Sequence, residues 1–205
     1  MKYFAYTLLS LGLIFITWQL YAYNSNKDFK TMDKNTLATI DDVEFRVYSH
    51  YTTASVPLSN NKMSSANGKF SVLAGYIFGG NKESQSIAMT SPVIYEMEEK
   101  SYFSFLMPES LTGEKLPVPN DPSIEFHDVM NQHVAVINFG GFANESKVKK
   151  YHKKLKLQLQ QIGFTVDDKH IIAVYQPPYQ LVGRKNEIWI DLNEQELKDL
   201  VLSKK

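Results

Sequence analysis

The chain has no cysteine among its 205 residues. That absence excludes disulfides, thiol nucleophiles, Cys-ligated zinc, iron–sulfur clusters and thioether-linked prosthetic groups, and it leaves the redox compartment open. An excess of either charge is also missing, since Lys+Arg and Asp+Glu number 22 each. A balanced chain of this kind offers no global basic field for nucleic acid and no acidic tail. Gly-rich phosphate loops, HExxH and GxSxG are absent too. The pairs Asp41-Asp42, Glu98-Glu99 and Asp167-Asp168 fall in expected loops and do not read as a catalytic dyad. These absences point away from an enzyme.

What is present suits one domain with an appendage. Hydrophobic residues make up 43% and aromatic residues 13%, enough for a sizeable core. Residues 1–23 are the appendage: positions 3–23 carry no charge and are long enough to span a bilayer as a helix. Trp18, Tyr21 and Tyr23 near the outer end fit an interfacial aromatic belt. A cleaved signal peptide is the competing reading, but Leu20 is bulky for a cleavage site. The expected location is a single-pass membrane anchor with an extracytoplasmic domain, or a secreted or periplasmic protein if cleaved. Residues 24–40 read as a polar tether, 41–193 as the domain and 194–205 as a tail, with a short helix expected over 193–202.

Within the domain two halves read alike, each as strand, amphipathic helix, strand, strand. In the first half, positions 44–48 alternate, 64–78 read as a helix ended by Gly79-Gly80, and 87–97 with 101–107 form a hairpin. The prolines of 108–122 make a crossover rather than a central strand. In the second half, 123–129 and 133–139 are expected to form a hairpin turning at Asn131, closed by Gly140-Gly141. A helix follows, capped by Asn144 and stopped at Gly163. Its residues Val148, Tyr151, Leu155, Leu159 and Ile162 share one face. Strands at 173–175 and 187–192 complete the pattern. The expected fold class is α+β: a distorted eight-stranded antiparallel barrel built from the two repeats and flanked by two helices.

Four segments narrow this further. They are IAMTSPVIYEM (87–97), FLMPESLTGEKLPVPNDPSI (105–124), VAVINFGGFAN (134–144) and AVYQPPYQLVGRKNEIWIDL (173–192). In this order they resemble the SOUL haem-binding protein family, over about three quarters of the chain. The resemblance implies the barrel above and, as cofactor, non-covalent haem or a related tetrapyrrole. Where that family has an axial histidine, it lies between the Arg and Tyr of the first strand, and the corresponding residue here is Val47. Relatives without it hold porphyrin by apolar contact.

The candidate ligand-binding residues are Arg46, Val47, Tyr51, Phe70, Leu73 and Ile77. Phe70, Leu73 and Ile77 could wall a porphyrin slot or be ordinary core, and Arg46 could meet a propionate. His50 and Tyr51 are the axial-ligand candidates; unbroken strand parity puts His50 opposite Val47 and Tyr51 beside it. His127 and His133 would flank a turn, His152 would border the helix stripe and His170 would sit in a polar loop, and no metal site follows. Met89, Met97 and Met107 read as core. The lysines at 147, 149, 150, 153, 154 and 156 read as a solvated face, or one meeting anionic lipid. Arg184, Asn186, Glu187 and Trp189 read as structural.

The expected function is a membrane-tethered binder of haem or another porphyrin, with no nucleic-acid partner and no obvious protein partner. A small-molecule effector or protein-interaction module, and an enzyme on a tetrapyrrole-like substrate, are the alternatives.

Overall fold

The computed structural model describes residues 2–25 and 31–203. The N-terminal run forms one helix, α1 (Lys2–Ser25). Residues 26–30 of the expected tether lie outside the described residues. Residues Asn35–Ile40 form a strand, β1, which pairs antiparallel with β2 (Val43–Pro57).

The rest of the first half is α2 (Lys69–Ile77), β3 (Val93–Met97) and β4 (Tyr102–Leu106). The second half repeats it as β5 (Glu125–Gly140), α3 (Glu145–Gln161), β6 (His170–Val174) and β7 (Lys185–Asp191). Six strands close in the order β2-β4-β3-β6-β7-β5, with β5 returning to β2, and β1 lies outside the barrel. The duplicated pattern and the antiparallel barrel are therefore as expected, but among the described residues the barrel closes with six strands instead of eight, and β1 is a seventh outside it.

The hairpin expected over 123–139 is a single strand. Asn131 does adopt a left-handed backbone, with φ 49°, yet the chain does not reverse there. Glu125–Gly140 runs through as one strand, because β2 opposite it is unbroken by glycine or proline until Pro57 and offers a ladder along its length. The register is the same on both sides of Asn131: Tyr48 pairs with Gln132 and His50 with Met130. His127 and His133 consequently sit on one strand and not on either side of a turn.

The two helices are stitched down by their sequences. At the start of α3, Asn144 accepts a hydrogen bond from the Lys147 amide at 2.9 Å, satisfying a donor the first turn would leave free. Gly163 ends it at φ 97°. The expected first helix is shorter than its periodicity. A 3-10 turn at Met63–Ala66 comes first, and Gly68, with φ 81°, breaks the chain before Lys69.

Alternation along the strands then divides the apolar residues. Outside the barrel, Val148, Leu155 and Leu159 of α3 bury Val43, Phe45, Ile137 and Ile188. Leu73, Tyr76 and Ile77 of α2 bury Ala54, Val56, Phe103 and Phe105 on another outer face. Inside are Tyr48, Tyr51, Ile94, Leu106, Val134, Val136 and Trp189. The short helix expected near the C-terminus is present as α4 (Glu194–Ser203), and its Leu197 is part of the α3-side core.

Candidate functional site

The barrel interior is filled, as is usual for a small barrel. The Arg46 guanidinium donates from Nη1 to both Glu187 oxygens at 3.1 Å and from Nη2 to Glu44 at 2.7 Å. Tyr175 and Trp189 each donate to Glu187 at 2.7 Å, and the Lys185 ammonium lies 2.8 Å from it. Burial alone would raise the Glu187 pKa, but the Arg46 and Lys185 charges offset it and hold the carboxyl below its ordinary value. The ring of Tyr48 stacks on Trp189 at 4.9 Å, and burial pushes its phenol up to about 12. Among the described residues these groups fill this part of the interior with their own contacts. Arg46 is committed there and does not reach the exposed face of α2.

Two cavities border the barrel, the smaller reaching the interior residues Tyr51 and Leu106. The larger, about 730 Å³, runs between α2 and two loops of the second half, 142–143 and 176–184. Phe70, Ala74 and Ile77 form its α2 wall, Met89, Val93, Tyr95 and Phe103 its floor, and Phe142, Pro177 and Tyr179 the far side. Its size falls in the range of roughly 300–1,000 Å³ usual for small-molecule sites. Leu73, the third expected wall residue, is wholly buried behind it.

One cation borders this groove. Arg184 donates to the carbonyls of Pro177, Gln180 and Gln176 at 2.6, 2.7 and 3.0 Å, and its guanidinium lies over the Phe142 ring, 4.2 Å from the centroid. Among the described residues no carboxylate pairs with it, and its Nε is buried without a partner. Burial accordingly lowers its pKa. Arg184, expected to be structural, thus holds loop carbonyls and, among the described residues, carries a charge that no carboxylate neutralises.

The smaller cavity, about 540 Å³, is lined by His50, Tyr51, Thr52 and Met107 among others. Tyr51 does not share the orientation of Val47. It faces inward with Tyr48, their rings 6.1 Å apart edge to face, because β2 loses its simple alternation opposite Asn131. Its hydroxyl donates to Gln132 at 2.6 Å. Burial and the carboxylates of Glu96 and Asp191 push its pKa up, which opposes the phenolate an iron ligand requires. His50 is exposed, with Nε2 3.6 Å from Asp128. Val47 sits on β2 opposite His133 and Asn35 and lines neither cavity. The expected site residues are therefore dispersed: Phe70 and Ile77 on the large groove, His50 and Tyr51 on the small cavity, Arg46 in the interior.

The remaining histidines form a pair. His170 heads β6 instead of lying in a loop, and its ring stacks on His152 of α3 with centroids 4.1 Å apart. Burial and the neighbouring ring lower the pKa of His152 to about 4.

Comparison with known proteins places this geometry. The profile of the SOUL heme-binding protein family matches residues 26–191. The chain belongs to that family. It is 27% identical to heme-binding protein 1 of Sus scrofa over 123 residues, 56% of this chain and 65% of the pig protein. It is 30% identical to heme-binding protein 1 of Xenopus laevis, over 59% of this chain and 67% of the frog protein. The match thus spans about two thirds of the length of these relatives. Among solved structures the EcmrR C-terminal domain has a TM-score of 0.58 at 9% identity, over 76% of this chain and 99% of that one. A hydrolase from Listeria innocua has a TM-score of 0.52 at 10% identity, over 76% and 94%. At such identity these two share the fold alone.

Proposed function

We propose that this protein is a membrane-tethered binding protein for haem or a related tetrapyrrole, held mainly by apolar contact in the large groove. The observation that carries the reading is the groove itself, about 730 Å³ with aromatic and aliphatic walls and one unpaired cation at its edge. A flat ring suits such walls, and burial of its faces supplies most of the affinity. Phe70, Ile77 and Phe103 would hold the ring, Arg184 would take a carboxylate, and Met63 and Met89 supply the thioethers in the lining. Haem bound there would bring an iron centre and a conjugated macrocycle. His50 and Tyr51 line the other cavity, and the reading gives them no ligand role. The buried Glu187 carboxylate is saturated by protein partners, which supports a binder over an enzyme using that group.

Tethering rests on α1. Residues Tyr6–Asn24 are long and apolar enough to cross a membrane. The hydroxyls of Thr7, Ser10 and Thr17 each donate to carbonyls about one turn back, at 2.8–2.9 Å, so they ask nothing of lipid.

The test is a haem titration of the full chain in detergent, followed by Soret absorbance. Wild type saturates at one haem per chain. Phe70→Asp, at a half-exposed wall residue, weakens binding about tenfold or more, while His50→Ala and Tyr51→Phe leave it unchanged. Loss in the latter two with Phe70→Asp unaffected would move the site to the smaller cavity. No saturation in wild type would sink the haem reading.

A further inference from the structure

The outer end of α1 does not hang free of the domain. Gln19 donates from Nε2 to the Tyr179 carbonyl at 3.2 Å and accepts from the Leu181 amide at 2.9 Å. Trp18 lies against Tyr179, with ring centroids 6.5 Å apart. Gly183 approaches the Tyr23 ring so closely that an added Cβ would meet Cε2 at 3.0 Å. The helix is thereby clamped to loop 176–184, which also forms the far wall of the large groove.

These contacts set a depth. Trp18, Tyr21 and Tyr23 are the residues expected at the membrane–water boundary. From Trp18 to Asn24 the helix rises about 9 Å, comparable to an interfacial layer of roughly 5–8 Å on each side of the hydrocarbon. A loop in contact with Trp18, Gln19 and Tyr23 lies within that layer. Its side chains suit the position: Leu181 and Val182 at its tip are exposed, at 43% and 66%, as is Tyr179. Across the groove mouth Phe78 and Phe142 are exposed as well. In water so many apolar side chains around one opening would be unfavourable and prone to association.

We propose that this rim is a membrane-docking surface: loop 179–182, held on α1, rests at headgroup level, and the groove opens beside it so that an apolar ligand exchanges with the lipid phase. The inference rests on the tethered reading of α1 and adds to it an orientation of the barrel, with the groove mouth facing the bilayer.

The absence of native cysteine makes the test direct. Full-length chains carrying Ile14→Cys, Val182→Cys or Met130→Cys, each at an exposed residue, are labelled with bimane and reconstituted in phosphatidylcholine vesicles. Nitroxide lipids then quench from either the headgroup end or the acyl-chain end. The expected result is that position 14 loses emission to the deep quencher, position 182 to the shallow one, and position 130 to neither. Quenching at 14 without quenching at 182 would overturn the docking surface and leave the anchor standing. Equal quenching at 182 and 130 would overturn it too, since no face is then preferred. No quenching at 14 would remove the anchor, and the inference with it.

Discussion

Nη1 of Arg46 lies 3.1 Å from both carboxylate oxygens of Glu187, and neither side chain is exposed at all. The pair joins the first strand of one half to the last strand of the other inside a closed barrel. Desolvating two charges is costly, so such a pair is worth little against an apolar replacement of both, yet removing one partner strands the other.

Arg46→Met or Glu187→Gln alone is expected to destabilise the fold by on the order of 3 kcal/mol. The double variant Arg46→Met/Glu187→Leu is expected to lose clearly less than the sum. Chemical denaturation of the four proteins forms a double-mutant cycle, and strict additivity would mean that the two charges are not coupled.

The unpaired cation on the groove predicts a preference for acidic ligands. Haem dimethyl ester, with its carboxylates masked, is expected to bind the wild-type chain about tenfold more weakly than haem, the loss of one charge-assisted hydrogen bond. Equal affinities would show that Arg184 serves only the loop carbonyls it already holds.

Glu96 gives the fold a pH dependence. Burial, with repulsion from Glu98, raises its pKa from 4.5 to about 7. The folded state therefore holds this proton more tightly than the unfolded chain. Stability from this group is fully present below about pH 4.5 and is lost as pH rises through about 7, by up to roughly 3 kcal/mol. Glu96→Gln is expected to flatten the decline between pH 5 and 7.5 in thermal melts. An unchanged slope would place the titration elsewhere.

Gly80 controls how the end of α2 is seated. Its amide donates to the Gly75 carbonyl at 2.8 Å, and a Cβ there would meet that oxygen at 2.6 Å. The obstacle is backbone, which cannot swing aside. Gly80→Ala is expected to cost about 1–3 kcal/mol and to loosen the α2 wall of the groove, seen as faster amide exchange at Tyr76 and Ile77. Wild-type exchange in the variant would show that the contact relaxes without cost.

What the sequence disclosed and what it hid differ in range. Asn144, the stripe of Val148, Leu155 and Leu159, and Gly163 define α3 by interactions within a few residues, and the helix lies where they put it. The duplicated order of elements is legible for the same reason. Phe70 and Ile77 are legible as one helix face, and both line the groove. The opposite wall comes from residues about 70 and 110 positions further along, and no local period connects them. Its trace in the sequence is apolar residues set in Gly- and Pro-rich loops, GGFA and QPPYQLVG, where polar side chains are usual. Asn131 misled because a left-handed backbone serves a kink within a strand as readily as a turn between two.

The joins between the halves carry a last consequence. Among the described strands the first half meets the second along two seams, β2 against β5 and β3 against β6, both antiparallel. Cut at the crossover, each half would present two bare strand edges whose natural complement is a second copy of the same unit. The full chain supplies that complement from within one polypeptide, and its two outer helices are free to differ: α3 covers a core, whereas α2 covers a core and also walls a groove.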